Sequence, residues 1–188
     1  MTETKPTSKA LRTPSTHTLA AVEPPIPVLD RREFRNALGS FATGVTVITT
    51  TTADGRHVGL TCNSFASVSL TPPLVLWSLG TQSSNLAAFQ QSERFTVNVL
   101  GCEQRDLAKK FARSGGDKFT DVMWTPGLGG VPVLSGCVAH FQCRCVDRYW
   151  GGDHVIFLGQ VEAFAHVADA PLLFSHGKFG TFGPDEAG

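Results

Sequence analysis

The sequence has no excess of charge of either sign, because 16 Lys and Arg residues balance 16 Asp and Glu residues in a chain of 188. Nucleic-acid-binding proteins usually carry a basic excess or a basic stripe, so this balance argues against a general nucleic-acid binder. Long apolar runs are also missing. Segments such as residues 72–77 fall far below the roughly 20 residues that a membrane-spanning helix needs. We therefore expect neither a nucleic-acid partner nor a membrane partner.

Cysteine motifs are missing as well. The five cysteines are odd in number and include no Cys-x-x-Cys pair, which argues against a disulfide framework and against a zinc site. Reduced thiols packed as small apolar groups explain them better. The N-terminal segment lacks the apolar core of a signal peptide, since residues 19–22 form too short a run. The sequence therefore predicts a cytoplasmic protein without a metal site.

A chain of this length fits a single domain. Residues 1–29 are rich in Thr and Pro and lack a periodic apolar face, so they are predicted to form a disordered tail. The folded domain is expected to span residues 30–182, followed by a short C-terminal tail over residues 183–188.

The domain begins with a helix signature. Asp30 is a good capping residue, and Glu33 follows three places later. Phe34, Leu38 and Phe41 recur at helical spacing. This pattern predicts a helix over residues 30–41, one face of which packs on a core.

Strands outnumber helices in the rest of the domain. β-Branched and alternating apolar runs predict strands that pair as hairpins, which favours an antiparallel barrel with a few peripheral helices. No Gly-x-Gly-x-x-Gly follows the first strand, so a Rossmann cofactor site is not expected. The predicted strands are residues 45–50, 58–62, 74–79, 95–100, 138–146 and 154–164; helices are predicted over 83–91 and 103–113, and a Gly/Pro-rich excursion over 114–136.

Two clusters of small polar residues could bind a ligand. Residues 61–69 place hydroxyl side chains and accessible backbone N–H groups beside strand ends, which suits a flat polar ring or a phosphate. The spacing alone favours an ordinary turn instead. Residues 81–85 open a predicted helix and could form an anion site, although a simple N-cap by Ser83 is the commoner arrangement.

Basic and titratable residues give further candidates. His154 follows the glycine turn of residues 151–152 and could contact a ligand or exchange protons near neutral pH; the alternative is a turn histidine paired with Asp153. Lys118 could serve a phosphate, although a solvated loop lysine is the default. His57 is expected to be exposed in a hairpin. No Gly-x-Ser-x-Gly motif and no nucleophile–base pair is recognisable.

Taken in order, these segments resemble the flavin reductase-like family, the small reductase component of two-component flavin monooxygenases. Each string is weak alone, but their common order and spacing make the match specific over roughly residues 30–182. The matching strings are FRNALGSFATGVTVIT (34–49), NSFASVSLTPPLV (63–75), FTVNVL (95–100), GDH (152–154) and PLLF through GKF (171–179).

The resemblance implies a flavin-binding split barrel, usually a homodimer with the flavin near the subunit interface. It implies hydride transfer from NADH or NADPH to FAD or FMN, and delivery of the reduced flavin to a separate oxygenase component. No catalytic side chain and no metal are implied. The implied flavin contacts are Thr43, Gly44, Val45, Thr46, Cys62, Asn63, Ser64, Ser67, Val68, Ser69, Ser83, Ser84, Asn85, Lys118 and Phe119, and the implied NAD(P)H contacts are Gly152, Asp153, His154, Lys178 and Phe179.

Two other functions compete with the reductase. One is a non-catalytic split-barrel carrier or sensor for flavin or haem; residues 152–154 favour the reductase, since a carrier needs no element that docks a nucleotide. The other is an oxidase of the pyridoxamine-phosphate type, against which the lack of a basic phosphate clamp argues. Many family members have Arg or Lys where Ser84 stands. A neutral site there binds a diphosphate less strongly unless Lys118 or another cation substitutes, so the sequence leaves the choice between FAD and FMN open.

Overall fold

The computed structural model describes residues 29–183. The two predicted tails lie outside the described residues except for their inner ends. The helices are α1 (Arg31–Gly39), α2 (Leu86–Gln91) and α3 (Arg105–Ala112), and the strands are β1 (Thr43–Gly44), β2 (Thr46–Thr51), β3 (His57–Cys62), β4 (Ala66–Leu70), β5 (Pro73–Gly80), β6 (Arg94–Val99), β7 (Trp124–Pro126), β8 (Pro132–Leu134), β9 (Ala139–Gly151), β10 (His154–His166), β11 (Leu172–Ser175) and β12 (Lys178–Thr181).

Seven strands form one antiparallel sheet in the order β3-β2-β6-β9-β10-β5-β4. The sheet curls so that β3 also contacts β5. Ser64 joins them just after β3, because its hydroxyl donates to the Ser78 carbonyl at 3.1 Å and accepts from the Ser78 amide at 2.9 Å. Smaller sheets, β1-β11-β12 and β7-β8, complete the fold. The predicted antiparallel barrel with few helices is confirmed.

The barrel interior is filled by aromatic and aliphatic side chains. Alternate residues of β5 point inward, so that Trp77 has no solvent-exposed surface. Its ring stacks on Phe157 with centroids 4.5 Å apart, while Phe89 of α2 and Phe95 of β6 meet it edge-on. Burying rings of this size supplies much of the free energy that holds such a barrel together.

A buried amide ties the β7–β8 hairpin to the barrel. Asn98 lies on β6 with no exposed surface; its side-chain nitrogen donates to the Val47 carbonyl at 2.9 Å, and its oxygen accepts from the Leu134 amide at 2.8 Å. A buried amide must be satisfied in this way to avoid a desolvation cost. The predicted Gly/Pro-rich excursion of residues 114–136 therefore carries a short, anchored hairpin.

Helix α1 begins as predicted but does not pack as predicted. The Asp30 carboxylate accepts from the amides of Arg32 and Glu33 at 2.7 and 3.0 Å. The expected burial of its apolar face is wrong, because Phe34, Leu38 and Phe41 are 52%, 60% and 79% exposed. Apolar spacing identifies a face of a helix, but it does not say which surface covers that face.

Other differences are local. Helix α2 begins at Leu86 instead of residue 83, because the Ser83 hydroxyl accepts from the Asn85 amide at 3.3 Å and forms a turn ahead of the helix. His57 opens β3 and is half-buried against Phe119 and Trp124, so the prediction of an exposed histidine is wrong. Among the described residues, no helix has the length and apolarity that crossing a membrane requires.

Candidate functional site along strand β3

Four adjoining cavities follow the outer side of β3 and form one groove. The central cavity, of about 220 Å³, lies at the C-terminal end of the strand. On one side, Thr61 and Ala112 line both the central cavity and a polar cavity near Ser83. On the other side, Asn63 and Phe174 line both the central cavity and a cavity beside α1. The central cavity is lined by Val45, Thr61, Cys62, Asn63, Ala112, Phe174 and Phe179.

The cavity beyond Thr61 is polar and is called the Ser83 cavity. It encloses about 370 Å³ and brings the Ser83–Asn85 turn opposite the end of α3. Two cations line it, Arg113 and Lys118. Hydroxyls, backbone N–H groups and cations around one space are typical of a phosphate site.

The Arg56 cavity continues the groove beyond Lys118. It encloses about 500 Å³ and shares Asn85 and Lys118 with the Ser83 cavity. Its lining is Gly55, Arg56, His57, Val58, Gly59, Asn85, Gly116, Asp117, Lys118 and Phe119.

The α1 cavity lies at the other end of the groove, between α1 and the β11–β12 turn. It encloses about 440 Å³. The turn is held to the helix because the Gly39 carbonyl accepts from the His176 amide at 3.0 Å and from the Ser175 hydroxyl at 2.9 Å. Its lining includes Arg35, Leu38, Phe41, Thr43, Asn63 and Phe174.

Helix α3 forms the wall of the groove because it lies directly on β3. Gly59 makes this close approach possible, since a Cβ atom there would lie 2.5 Å from the Phe111 ring. Two residues later, the Thr61 hydroxyl donates to the Ala108 carbonyl at 2.6 Å. Because side chains alternate along a strand, both residues lie on one face of β3, and α3 packs against that face.

Lys118 is held in place at the border of two cavities. Its ammonium group donates to the Gly59 carbonyl at 3.1 Å and to the Phe111 carbonyl at 3.0 Å. Partial burial lowers the pKa of this lysine. An ammonium group has three N–H donors, so two are used within the protein and one remains for an oxygen of a ligand.

The central cavity combines apolar walls with a few polar groups. The rings of Phe174 and Phe179 lie 5.5 Å apart and form one wall. Burial raises the pKa of the Cys62 thiol, which therefore stays neutral at physiological pH. Asn63 is exposed where the central and α1 cavities meet. The Thr43 hydroxyl in the α1 cavity is buried and has no hydrogen-bond partner among the described residues.

The β9–β10 hairpin carries the predicted nucleotide contacts at its tip. Gly152 turns the chain with a φ of 66°, a conformation that favours glycine. His154 Nδ1 lies 2.7 Å from an Asp153 carboxylate oxygen, and this hydrogen bond holds the pKa of Asp153 below its usual range. Because a carboxylate only accepts, Nδ1 is the donor, which leaves Nε2 directed toward Gly80 of β5. The side chain of His154 is 49% exposed.

The structure brings about half of the predicted contacts to the groove. Thr46 is buried in the sheet, where its hydroxyl donates to the Cys62 carbonyl at 2.8 Å, and Ser64 links β3 to β5. The predicted residues that line the four cavities are Thr43, Val45, Cys62, Asn63, Ser83, Ser84, Asn85, Lys118, Phe119 and Phe179; those that do not are Gly44, Thr46, Ser64, Ser67, Val68, Ser69, Gly152, Asp153, His154 and Lys178.

Several basic residues of the groove were missed from the sequence, among them Arg113 and Arg56. Arg113 directly follows α3 and lines the Ser83 cavity, and Arg56 follows the β2–β3 turn and lines the Arg56 cavity. The sequence predicts both local elements, but no local pattern says that their ends meet at one groove. Within residues 29–183, no group of three His, Cys, Asp or Glu residues is placed to hold a metal ion.

Comparison with known proteins places this geometry in context. The family model described as flavin reductase like domain matches residues 38–183. The chain is 49% identical over 151 residues to FMN reductase (NADH) SmoA of Agrobacterium fabrum, covering 80% of this chain and 86% of that protein. It is 42% identical over 159 residues to HsaB of Rhodococcus jostii, the reductase subunit of a flavin-dependent monooxygenase, covering 84% and 81%.

A solved structure shares the fold and a similar level of identity. NADH:FAD oxidoreductase SgcE6 of Streptomyces globisporus C-1027, in complex with NAD and FAD fragments, superposes with a TM-score of 0.80 at 41% identity. The match covers 84% of this chain and 96% of that one.

Proposed function

The chain belongs to the flavin reductase-like family, and from this membership we propose that it transfers a hydride from NADH to a flavin and supplies the reduced flavin to a separate monooxygenase component. The observation that carries the proposal is the continuous groove along β3, which offers a partly apolar cavity beside a cationic, hydroxyl-lined one. A flavin has the same two chemical parts, a flat ring and a phosphate.

The ring of the flavin fits the central cavity and its continuation under α1. Val45, Phe174 and Phe179 supply apolar surface for the benzenoid part of the ring. The Asn63 amide and the unpaired Thr43 hydroxyl supply hydrogen bonds for its polar edge. A buried hydroxyl without a partner is costly, and a carbonyl or ring nitrogen of the flavin would satisfy it.

The phosphate fits the Ser83 cavity. Ser83 and Ser84 supply hydroxyls, and the spare N–H of Lys118 and the guanidinium of Arg113 supply charge. Ser84 stands where many relatives have Arg or Lys, so Arg113 and Lys118 replace that missing charge from the opposite wall. Charge-assisted hydrogen bonds of this kind are roughly twice as strong as neutral ones.

The nicotinamide is assigned to the tip of the β9–β10 hairpin. His154 offers Nε2 as an acceptor while Asp153 fixes the orientation of its ring. Gly152 has no side chain and lets a ligand approach the backbone. Lys178 and Phe179 lie on β12 and complete the same side of the molecule in this proposal.

The chemistry asks little of the side chains. When bound, a flavin would supply the acceptor for two electrons, and NADH would supply the hydride and become NAD⁺. The residues of the groove would hold the flavin ring so that a nicotinamide can contact it closely. The neutral Cys62 thiol and the phenylalanine wall exclude water from that contact. No proton must be donated by a side chain for the hydride to move.

The proposal includes a homodimer. Phe34 and Leu38 on α1 and Phe41 just after it are all more than half exposed, and a second chain would cover this apolar surface. Strand β4 is an edge strand with exposed residues, and pairing with a second chain would bring its Ser67–Ser69 segment toward a ligand. A solution mass of twice 20.1 kDa supports the dimer, and a mass of 20.1 kDa contradicts it.

We place the enzyme in the cytoplasm and assign no catalytic role to residues 1–29. All five cysteines are free, which suits a reducing compartment. The family model matches residues 38–183, and we place the boundaries of the domain at residues 30 and 182. A chain truncated before Asp30 should keep its rate of flavin reduction; a lost rate would assign the N-terminal segment to the site or to the dimer.

The function is tested by aerobic turnover with a limiting amount of flavin. The purified chain should consume many equivalents of NADH per flavin, because oxygen reoxidises the flavin that leaves the protein. NADPH at the same concentration serves as the comparison and should be consumed more slowly. Binding of flavin without any consumption of NADH would favour a non-catalytic flavin carrier on the same barrel.

A further inference from the structure

Three of the cavities follow one another in a fixed order along β3. The central cavity reaches the strand at Cys62, the Ser83 cavity at Leu60, and the Arg56 cavity at His57. An extended strand rises about 3.3 Å per residue, so His57 and Cys62 lie about 17 Å apart. The order therefore places a third binding space beyond the one that fits a phosphate.

FMN and FAD would occupy this series of cavities differently. FMN ends at its single phosphate, so with its ring in the central cavity it would end in the Ser83 cavity. FAD continues from that phosphate through a second phosphate to an adenosine. The Arg56 cavity, which the proposed function does not use, begins where this extension would begin, because Lys118 lines both cavities.

The cationic groups of the Arg56 cavity suit a second phosphate. Arg56 carries a guanidinium on an exposed turn, and the positive charge of Lys118 lies at the border of the Ser83 and Arg56 cavities. Asp117 also lines the cavity, but its carboxylate accepts from the Phe119 amide at 2.9 Å and from the Thr120 hydroxyl at 2.7 Å. These hydrogen bonds hold the pKa of Asp117 below its usual range, so its negative charge is engaged within its own turn.

The rest of the lining suits an aromatic base. His57 and Phe119 are half-buried rings with centroids 5.6 Å apart, and Trp124 supports His57 from 4.6 Å. Gly55 and Gly116 leave the mouth open, since a Cβ atom at either would meet nothing within 4 Å. A volume of about 500 Å³ lies within the usual range for small-molecule sites. Half-buried rings offer an adenine both an apolar face and an edge for stacking.

We propose that the Arg56 cavity binds the adenosine monophosphate part of FAD, so that this chain takes FAD in preference to FMN. The inference rests on the proposed function, because it assumes that a flavin lies in the groove. Arg56 is then a specificity-determining residue, since its contact exists for FAD and not for FMN. The NADH adenylate is the competing occupant of the same cavity.

Equilibrium binding of the two flavins to the full chain tests the proposal without requiring turnover. The dissociation constants of FAD and FMN are measured by flavin fluorescence for the wild type, Arg56→Ala, Arg113→Ala and Lys109→Ala. Lys109 is exposed on α3, pairs with Asp106 and lines none of the four cavities, so it controls for loss of a surface charge.

The wild type should bind FAD about tenfold more tightly than FMN, which corresponds to about 1.4 kcal/mol. Arg56→Ala should remove most of that ratio, and Arg56→Lys should restore part of it. Arg113→Ala should weaken both flavins by the same factor, because both place a phosphate in the Ser83 cavity. Lys109→Ala should leave the ratio at its wild-type value.

Equal binding of FAD and FMN by the wild type, with NADH consumption intact, would overturn the FAD preference and leave the reductase function standing. A ratio that Arg56→Ala does not change would overturn the assignment of the cavity. A KM for NADH that rises in Arg56→Ala while the ratio stays constant would give the cavity to NADH instead. Failure to bind either flavin would overturn both this inference and the proposed function.

Discussion

Two apolar regions of this molecule, the groove along β3 and the outer face of α1, differ in what covers them. The groove is closed by the chain itself, because α3 lies on Gly59 and Thr61 and Lys118 is tied to two carbonyls. On α1, Phe34 is 52% exposed, and Leu38 and the following Phe41, which also border the α1 cavity, are 60% and 79% exposed. The hairpin tip with His154 is similarly open.

This difference separates a site that one chain can build from a surface that needs a second molecule. The proposed flavin contacts at the groove are held by hydrogen bonds and packing within the described residues. The proposed nicotinamide contacts Gly152, Asp153 and His154 lie on an exposed tip, where the side chains of Asp153 and His154 are hydrogen-bonded to each other. Changes to the groove should therefore affect folding and flavin together, whereas changes to the exposed regions should affect assembly or NADH and leave the barrel intact.

The largest effect is expected from Gly59→Ala. Its Cβ atom would meet the Phe111 ring at 2.5 Å, so α3 must move off β3 and carry Arg113 and the carbonyl partner of Lys118 with it. Overpacking of this kind costs about 1–3 kcal/mol of unfolding free energy, and we expect flavin affinity to fall more than tenfold. Chemical denaturation and flavin titration measure the two losses.

Gly180→Ala is the matched control for this substitution. A Cβ atom at Gly180 would meet nothing within 4 Å, so both stability and flavin affinity should be kept. If Gly59→Ala bound flavin as tightly as the control, the packing of α3 on β3 would not determine the shape of the flavin site.

The next effect concerns the α1 face. Phe34→Glu places a charge in the middle of the proposed interface, and we expect the dimer to weaken by about 2 kcal/mol or more. The unfolding free energy of the monomer should hardly change, because Phe34 is 52% exposed in the single chain. Sedimentation equilibrium measures the association. Arg32→Gln, on the polar side of the same helix, should leave the dimer intact; equal weakening by both variants would place the interface elsewhere.

The elements of the fold follow from local patterns in the sequence. The β-branched run of β2 and the alternation of β6 predict strands, and Asp30 predicts the start of α1. The sheet order could not be predicted in this way, because it depends on contacts distant in the sequence. The pairing of β6 with β9, for example, joins Arg94 to Arg144.

The sequence predicted those site residues that the family resemblance identifies. Asn63 belongs to a string that resembles the family, and Ser83–Asn85 and Lys118 are contacts that the resemblance implies. All of them line the groove. Arg113 and Arg56 were not predicted as site residues, because each is an ordinary surface arginine in the sequence. They come to the groove only when α3 packs on β3. His57 was misjudged for the same reason, since the aromatic rings that bury it come from residues 119 and 124.

The smallest effect is expected from His154→Ala. Loss of one imidazole contact should cost about 1–2 kcal/mol of binding free energy and raise the KM for NADH accordingly. The flavin dissociation constant should stay near its wild-type value. If His154 only pairs with Asp153 to stabilise the turn, the variant would lose melting temperature and keep its kinetics. NADH kinetics, flavin titration and thermal melting on this single variant separate the two roles. If the flavin dissociation constant rose by a larger factor than the KM for NADH, His154 would not belong to the nicotinamide site.

Direct hydride transfer from NADH to a flavin bound in the groove is tested by anaerobic single turnover with NADH deuterated at nicotinamide C4. We expect loss of oxidised flavin and loss of NADH to proceed together in a one-to-one ratio, and deuterium on the transferred position to slow both. Flavin that binds in the groove and stays oxidised in the presence of excess NADH would contradict it.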